Sequence, residues 1–405
     1  MAQVKPKSFY RPRVVEAENV NEAFYTGLTM IRKEGLSLET RNGDAFKLPG
    51  VLVTNYRNPT QRCLFVPERE ANPFFHHLES IWMLSGSNTI EFPTHYVPSM
   101  KAFSDDSVTF NAAYGYRWRH EFGVDQINLV VSALALDPNS RRVVLQMWNT
   151  ENDLMRPSSY DLACNLLAKF YIVDNFLMMD VCCRSNDMVL GGYGANAVHF
   201  SFLQEYICDR LRIEGLPLRV GVYNQISMDA HLYTGQLYGD KLWTNINNAL
   251  EADASEKVVY INAYSSSGYK GDRLVTVSPL LFRATTDDGT ERAGQTAPTN
   301  DAVQFDVELR AIVEHRSNAR HVIGGFESPY LAMVIDHLLN AYDLFREEDL
   351  IGALGVMGDM REQIASEFSL ASDQRLDVEV ACTEWLERRV ARRLQTRQDN
   401  HGTKS

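Results

Sequence analysis

The stretch Phe170–Asp187, FYIVDNFLMMDVCCRSND, decides how the rest of the chain is read. Its first fourteen residues are rich in β-branched and aromatic side chains and predict sheet strand. Its last four, Arg184-Ser185-Asn186-Asp187, bring an anion-binding arginine and serine and an ionisable carboxylate into one neighbourhood with the upstream thiol of Cys164. Working outward, RRVVLQMW (141–148) and LRVGVYNQ (218–225) have the same strand composition, and HFSFLQEYICDRLRI (199–213) predicts a mostly buried helix. Residues 16–34 carry apolar positions at helical spacing, and GLSLETRNGDAFKLPGVLVTNY (35–56) reads as a hairpin turning at Asn42-Gly43. PFFHHLESIWMLSG (73–86) predicts a helix stopped by Gly86. The class is α+β: a large mixed sheet with flanking helices.

Composition sets the outer limits. With 405 residues, 45% hydrophobic and 23% charged, the chain has apolar material for one large core or two domains. A net charge of -12 argues against non-specific tracking of a nucleic-acid backbone, which needs clustered Lys and Arg, but leaves room for a small anion at a local arginine cluster. MAQVKPKSFYRPRVV lacks the apolar core of a secretory signal, and no run approaches the roughly 18 apolar residues of a membrane span. A cytoplasmic protein without membrane contact is expected. Six cysteines without CxxC or Cys/His ligand spacing suggest reduced thiols and no metal site.

Residues 1–283 are expected to form one mixed α+β domain. The polar, Gly/Pro/Thr-rich stretch 284–303 has no apolar period and reads as a linker or loop. Residues 304–395 hold amphipathic helical stretches ending in WLERRVARRLQTRQ, a helical extension, with 396–405 as a disordered tail.

Five blocks in order carry a resemblance: Arg41-Asn42-Gly43; Glu79 with Trp82 three residues on in HLESIWMLSG; YGYRWR (114–119); NSRRVVLQMWN (139–149); and Cys164 through RSND to Asp229-Ala230-His231-Leu232-Tyr233. Across roughly residues 15–245 the chain resembles the thymidylate synthase superfamily, which includes the phage deoxycytidylate and deoxyuridylate hydroxymethylases. The resemblance implies a deoxypyrimidine 5′-monophosphate as substrate and 5,10-methylenetetrahydrofolate as cofactor. Cys164 would add to C6 of the pyrimidine and so make C5 a carbon nucleophile. Arg184 and Ser185 would hold the phosphate, with Arg41 and with Arg141 and Arg142 from a second subunit, making the enzyme a homodimer with shared sites. Glu79 would handle protons, with Tyr114 in the same catalytic set. Asp187 would meet the pterin, alongside Trp82 on the cofactor side, and His231 and Tyr233 would bond the sugar 3′-hydroxyl.

Departures from the family pattern point to the product. Thymidylate synthases carry Pro-Cys-His at the nucleophile; this chain has Ala163-Cys164-Asn165. Met100 takes the place of the tryptophan that shields the exocyclic methylene from water, and Phe103 takes a second aromatic position. The synthases end in a short apolar tail, whereas this chain runs on for more than a hundred residues. Water capture, giving hydroxymethyl, is therefore expected. The base reader is Asn196 if Leu190-Gly191-Gly192-Tyr193-Gly194-Ala195-Asn196 holds one inserted residue, and an amide suits uracil in one orientation and cytosine in the other. The Arg-Ser-Asn-Asp form tilts the expectation slightly to dCMP, with dUMP close behind. The alternatives are a thymidylate synthase making dTMP and a catalytically idle binding module on the same fold.

Overall fold

The computed structural model describes residues 9–40, 42–156, 158–235, 237–296 and 301–402, with side chains through 394. Two compact units divide the chain: Met1–Ala71 with Glu79–Ala263, and Asn72–Leu78 with Tyr264–Ser405.

The first unit is built on two mixed sheets. Strands β1 (Arg13–Ala17), β4 (Leu52–Tyr56), β5 (Val144–Gln146), β6 (Asn165–Val173), β7 (Phe176–Cys183) and β9 (Arg219–Ser227) form a six-stranded sheet in the order β1-β4-β9-β7-β6-β5. Strands β2 (Leu36–Thr40), β3 (Gly43–Lys47), β8 (Asn186–Asp187) and β10 (Ala230–Tyr233) form a smaller one, β2-β3-β10-β8. The opening stretch is thus two strands and not one: Asp174 and Asn175 both take positive φ, 49° and 65°, and close a two-residue hairpin between β6 and β7. That turn matches the right-handed twist of its strands and suits Asp and Asn. The hairpin expected to turn at Asn42-Gly43 forms with Thr40 opposite Gly43, so Gly43, at φ 103°, is the first residue of β3 and not part of the turn.

Helices cover the six-stranded sheet on one side. Val20–Glu34 is capped by Asn19, whose side chain accepts from the Asn21 and Glu22 N–H groups. Asn196–Ile213 buries nearly all of its residues, polar ones such as His199, Gln204 and Glu205 included. The Pro73–Ser85 helix ends at Gly86, φ 81°, as expected from sequence. No helix among the described residues is long and apolar enough to cross a membrane.

The second unit holds the sheet β13-β12-β11-β14, made of Glu291–Ala293, Arg283–Thr285, Arg273–Val277 and Gln374–Leu376. It also holds the helices Ala302–His315, Asp336–Arg346, Leu350–Phe368 and Asp377–Gly402. Phe74, Tyr342, Phe345 and Trp385 pack ring to ring within it.

The structure differs from the expected division in three ways. The cut falls after Ala263, not 283. Residues 284–293 are not a linker but most of a short hairpin, whose turn is tied by Thr286 N–H to Thr290 O and by Asp288 accepting from Thr290 N–H. Strands of three residues are too short to show an apolar period, so this turn chemistry read as linker composition. The last helix runs on through 396–402 in place of a disordered tail, since nothing between Asp377 and His401 is Gly or Pro. Residues 403–405, also assigned to that tail, and 297–300 of the expected linker lie outside the described residues.

Candidate active site

Strands β7 and β9 run parallel, side by side, and both leave the large sheet for the small one. Arg184-Ser185 carry the chain from β7 to β8, and Met228-Asp229 carry it from β9 to β10, where β8 and β10 pair again in parallel, His231 beside Asp187. Met228 N–H bonds Cys183 O and Asn186 N–H bonds Asp229 O, 2.9 and 2.8 Å, so the two crossings lock to each other. Cys164 stands one residue before β6, the antiparallel neighbour of β7, and its carbonyl accepts from Arg184 N–H at 2.8 Å. Topology therefore gathers thiol, arginine, serine, carboxylate and histidine from positions up to 67 residues apart in sequence.

The loop that presents the thiol is pinned from below. The Tyr114 hydroxyl oxygen accepts from the N–H groups of Cys164 and Asn165, 3.0 and 3.1 Å. Burial, then the neighbouring Cys164 and Cys183, pushes the Tyr114 hydroxyl well above its ordinary value, so it stays a neutral phenol. Gly115 lets this segment approach: a Cβ there would meet Met83 O at 2.0 Å. Arg117, fully buried, grips Asp153 with both terminal nitrogens, and Asp153 Oδ1 accepts from Ala163 N–H at 3.2 Å. Breaking such a buried pair from one side costs about 3–5 kcal/mol.

Above the loop opens a cavity of about 620 Å³. Cys164, Arg184, Ser185, Asp187, His231 and Tyr233 all line it, six of the residues expected from sequence. Arg184 Nε donates to Ala163 O at 2.7 Å, so the guanidinium is tied to the residue before Cys164. Cys164 is partly open, whereas burial raises the thiols of Cys183 and, with Asp180 nearby, of Cys182, leaving these two protonated.

At the other end, Tyr233 Oη accepts from Asn42 Nδ2 at 3.2 Å, and the His231 and Tyr233 rings meet edge to face, 4.9 Å between centroids. His231 Nδ1 lies 3.4 Å from Asp229 Oδ1, whose second oxygen is paired with Lys47 Nζ. Burial works against the Asp229 carboxylate, but the hydrogen bonds from His231 and Lys47 prevail and hold it below its ordinary value. An ionised Asp229 keeps the proton of His231 on Nδ1 and leaves Nε2 as an acceptor.

Asp187 accepts from the Val189 and Leu190 N–H groups and from the Tyr238 hydroxyl. Burial raises its carboxyl above the ordinary value against those hydrogen bonds. Phe103, 52% exposed, with Leu162, Tyr160 and Leu237, gives the cavity its apolar walls. An apolar wall beside a carboxyl group suits a flat ligand carrying N–H donors.

Glu79, Trp82, Met100, Tyr114 and Asn196 are not among the lining residues. Met100 sits on the same short helix as Phe103, Pro98–Phe103, so the place expected of it at the mouth is taken by Phe103. Trp82 is buried edge-on against Phe110. Asn196 donates to Asn186 Oδ1 and accepts from Asn165 Nδ2, 3.2 and 3.4 Å, which orients its amide from behind the wall. Arg141 and Arg142 are exposed and line a separate open depression with Asp137, Asn139 and Ser140. Arg41 lies outside the described residues.

Sequence reasoning missed Lys47, Asp229, Tyr238, Arg117 and Asp153 as parts of the site. The period of two was the available signal for Lys47: Leu38, Thr40, Ala45 and Lys47 share one face of the Asn42-Gly43 hairpin, and all four line the cavity.

Residues 29–256, more than half of the chain, match the family model described as thymidylate synthase. The chain is 44% identical over 222 residues to the deoxyuridylate hydroxymethyltransferase of Pseudomonas phage M6, covering 55% of this chain and 62% of that one. It is 33% identical over 245 residues to the protein of the same name from Bacillus phage SP01, covering 57% and 62%. A putative thymidylate synthase of Methanosarcina barkeri is 27% identical over 242 residues, covering 59% and 95%. The chain thus spans less than two thirds of the two phage relatives. The crossing strands, the pinned thiol and this match agree: the chain belongs to the thymidylate synthase family.

Proposed function

We propose that this chain is a folate-dependent C5 hydroxymethyltransferase acting on a deoxypyrimidine 5′-monophosphate, dUMP. The observation that carries the reading is the opening of the Cys164 thiol into the cavity that also holds Arg184, Ser185, Asp187, His231 and Tyr233. An anion clamp at one end and a hydroxyl-binding His/Tyr pair at the other, with a thiol between them, suit a nucleoside monophosphate. Methylenetetrahydrofolate, when bound, would supply one carbon at the formaldehyde level.

The residues divide the work. Arg184 and Ser185 take the phosphate, and the positive charge brought there favours the thiolate of Cys164. His231 Nε2 accepts from the sugar hydroxyl, held in that tautomer by Asp229 and Lys47. Cys164 adds to C6, and Asp187 with the Phe103 wall holds the pterin. Sequence alone tilted to dCMP; the names of the phage relatives, 44% and 33% identical, favour dUMP. The same names, and an exposed Phe103 at the mouth in place of a buried indole, favour water capture over methyl formation.

The enzyme works as a homodimer in this reading. Arg141 and Arg142 are exposed and line a depression apart from their own cavity, as residues that serve a neighbour's phosphate site would. Val53, Ile226, Cys182 and Leu167 form a half-exposed apolar row across four adjacent strands, available for a second copy. The test is incubation with methylenetetrahydrofolate and either dUMP or dCMP, with products resolved by mass. Hydroxymethyl-dUMP without dihydrofolate is expected. A methyl product with dihydrofolate, or turnover of dCMP alone, would contradict the reading.

A further inference from the structure

A second polar layer lies behind the wall that carries Cys164. Glu79 and His199 are 6% and 3% exposed, and Glu79 Oε2 lies 2.9 Å from His199 Nε2. Neither atom has a hydrogen bond of good angle, and the same holds for Trp82 Nε1, three residues along the Glu79 helix, and for Asn165 Oδ1. Buried polar atoms are rarely left so, and a carboxylate buried without a donor is costly.

This layer connects to the nucleophile. Asn165 follows Cys164, its Nδ2 donates to Asn196 Oδ1, and His199 is three residues beyond Asn196 on one helix, hence on the same face. A separation of 2.9 Å suits a charge-assisted hydrogen bond, and catalytic hydrogen bonds that are poorly aligned in a ligand-free site commonly tighten with substrate.

We propose that His199 is a positioning residue for Glu79: its Nε2–H holds and aims the carboxylate, so that Glu79 takes the proton leaving C5 of the nucleotide. The proposal rests on the reading that Cys164 adds to the ring. Without folate the step balances as follows. The Cys164 thiolate bonds to C6 while the C5=C6 pair moves toward the C4 oxygen as an enolate, and C5 then takes a proton from solvent. In return, the C5–H bond breaks with its pair going back to the enolate, the proton passes to Glu79, and the C6–S pair leaves with sulfur. An isotope at C5 ends in water, and nothing is oxidised or reduced.

The experiment measures tritium release from 5-tritiated dUMP, without folate, by the wild type and by His199→Leu, His199→Gln and His199→Asn, each alone and combined with Glu79→Gln. Binding of dUMP is measured by calorimetry on the same proteins. His199→Leu should slow release about 100-fold while changing dUMP affinity by less than about twofold. His199→Gln, whose amide nitrogen falls near the place of Nε2, should recover to within about tenfold of the wild type, and the shorter His199→Asn should not. In the Glu79→Gln background no substitution at 199 should slow release further, because a residue acting through Glu79 has nothing left to act on. Should His199→Leu fail to fold, the Gln and Asn pair carries the same contrast. Wild-type rates in His199→Leu or His199→Asn, additive losses in the Glu79→Gln background, or a loss of dUMP affinity equal to the loss of rate would overturn the proposal while leaving Cys164 chemistry intact. No release by the wild type would overturn the Cys164 reading and this one with it.

Discussion

The loop around Cys164 separates two kinds of polar chemistry. On its cavity side, functional groups are tied to the scaffold while their residues still face the opening: Arg184 by Ala163 O and Leu162 O, Tyr233 by Asn42, His231 by Asp229. On its inner side, Asn165, Asn196, Asn186, Glu79 and His199 are nearly closed to solvent, and several of their atoms lack an aligned partner. The difference teaches how the labour is split. Groups on the open side can bind a ligand because their scaffold bonds leave directions unused, whereas groups on the closed side can only orient one another or move a proton.

Substitutions on the open side should have the largest effects. Cys164→Ser should bring tritium release from 5-tritiated dUMP to the rate without enzyme, with dUMP still bound; measurable release by the variant would break the assignment of the nucleophile. Arg184→Ala removes charged hydrogen bonds worth about 1.5–3 kcal/mol each, so the Kd for dUMP should rise roughly 10- to 150-fold by calorimetry. Arg184→Lys should fall between, since a lysine cannot make the paired contact.

The edge of the open side is softer. Lys47→Ala loosens Asp229 and through it His231, and dUMP affinity should fall about tenfold, with little change for a nucleotide lacking the 3′-hydroxyl. An equal loss for both ligands would show that Lys47 acts on the phosphate and not on the sugar.

The shared-site reading gives an intermediate signal. Arg142→Ala mixed in equal amounts with Cys164→Ala should regain about a quarter of the wild-type rate, since half the dimers are mixed and each of these holds one intact site. Failure to regain activity would confine Arg142 to its own chain.

The smallest effect concerns Asp187, which belongs to both sides. Burial raises its folded-state value above the unfolded one, so protonated Asp187 is the form the fold prefers. Its contribution to stability is complete below its ordinary value of 3.8 and is lost as pH rises through the raised value. Asp187→Asn, which keeps the cap on Val189 and Leu190, should therefore melt no lower than the wild type at pH 7 and should lose its relative advantage in acid. A variant that melts lower at pH 7 would contradict this sign.

Much of the open side was legible in the sequence because each of its residues sits in a motif: RSND, Asp229-Ala230-His231-Leu232-Tyr233, and the Asn42-Gly43 hairpin. Strand composition exposed β7 and β9, but not the turn at Asp174-Asn175, which was hidden inside what looked like one continuous run. The closed side was mostly illegible. His199 reads as one more position on a buried helix, and only the crossing of that helix with Pro73–Ser85 puts it against Glu79. The Arg117–Asp153 pair depends likewise on a contact across the fold, and on the open side the period of two signalled Lys47 but not its partner Asp229, 182 residues away. The hairpin at 283–293 escaped because a tight polar turn and a linker share the same composition.

The account's central claim is that the sulfur of Cys164 bonds to a nucleotide ring. It is tested most directly by incubating the protein with 5-fluoro-dUMP and methylenetetrahydrofolate, since fluorine at C5 cannot leave as a proton and should hold the adduct in place. The expected result is an intact mass raised by nucleotide plus folate, mapped after proteolysis to the peptide containing Cys164. An unchanged mass, or an adduct on Cys182 or any other cysteine, would contradict it.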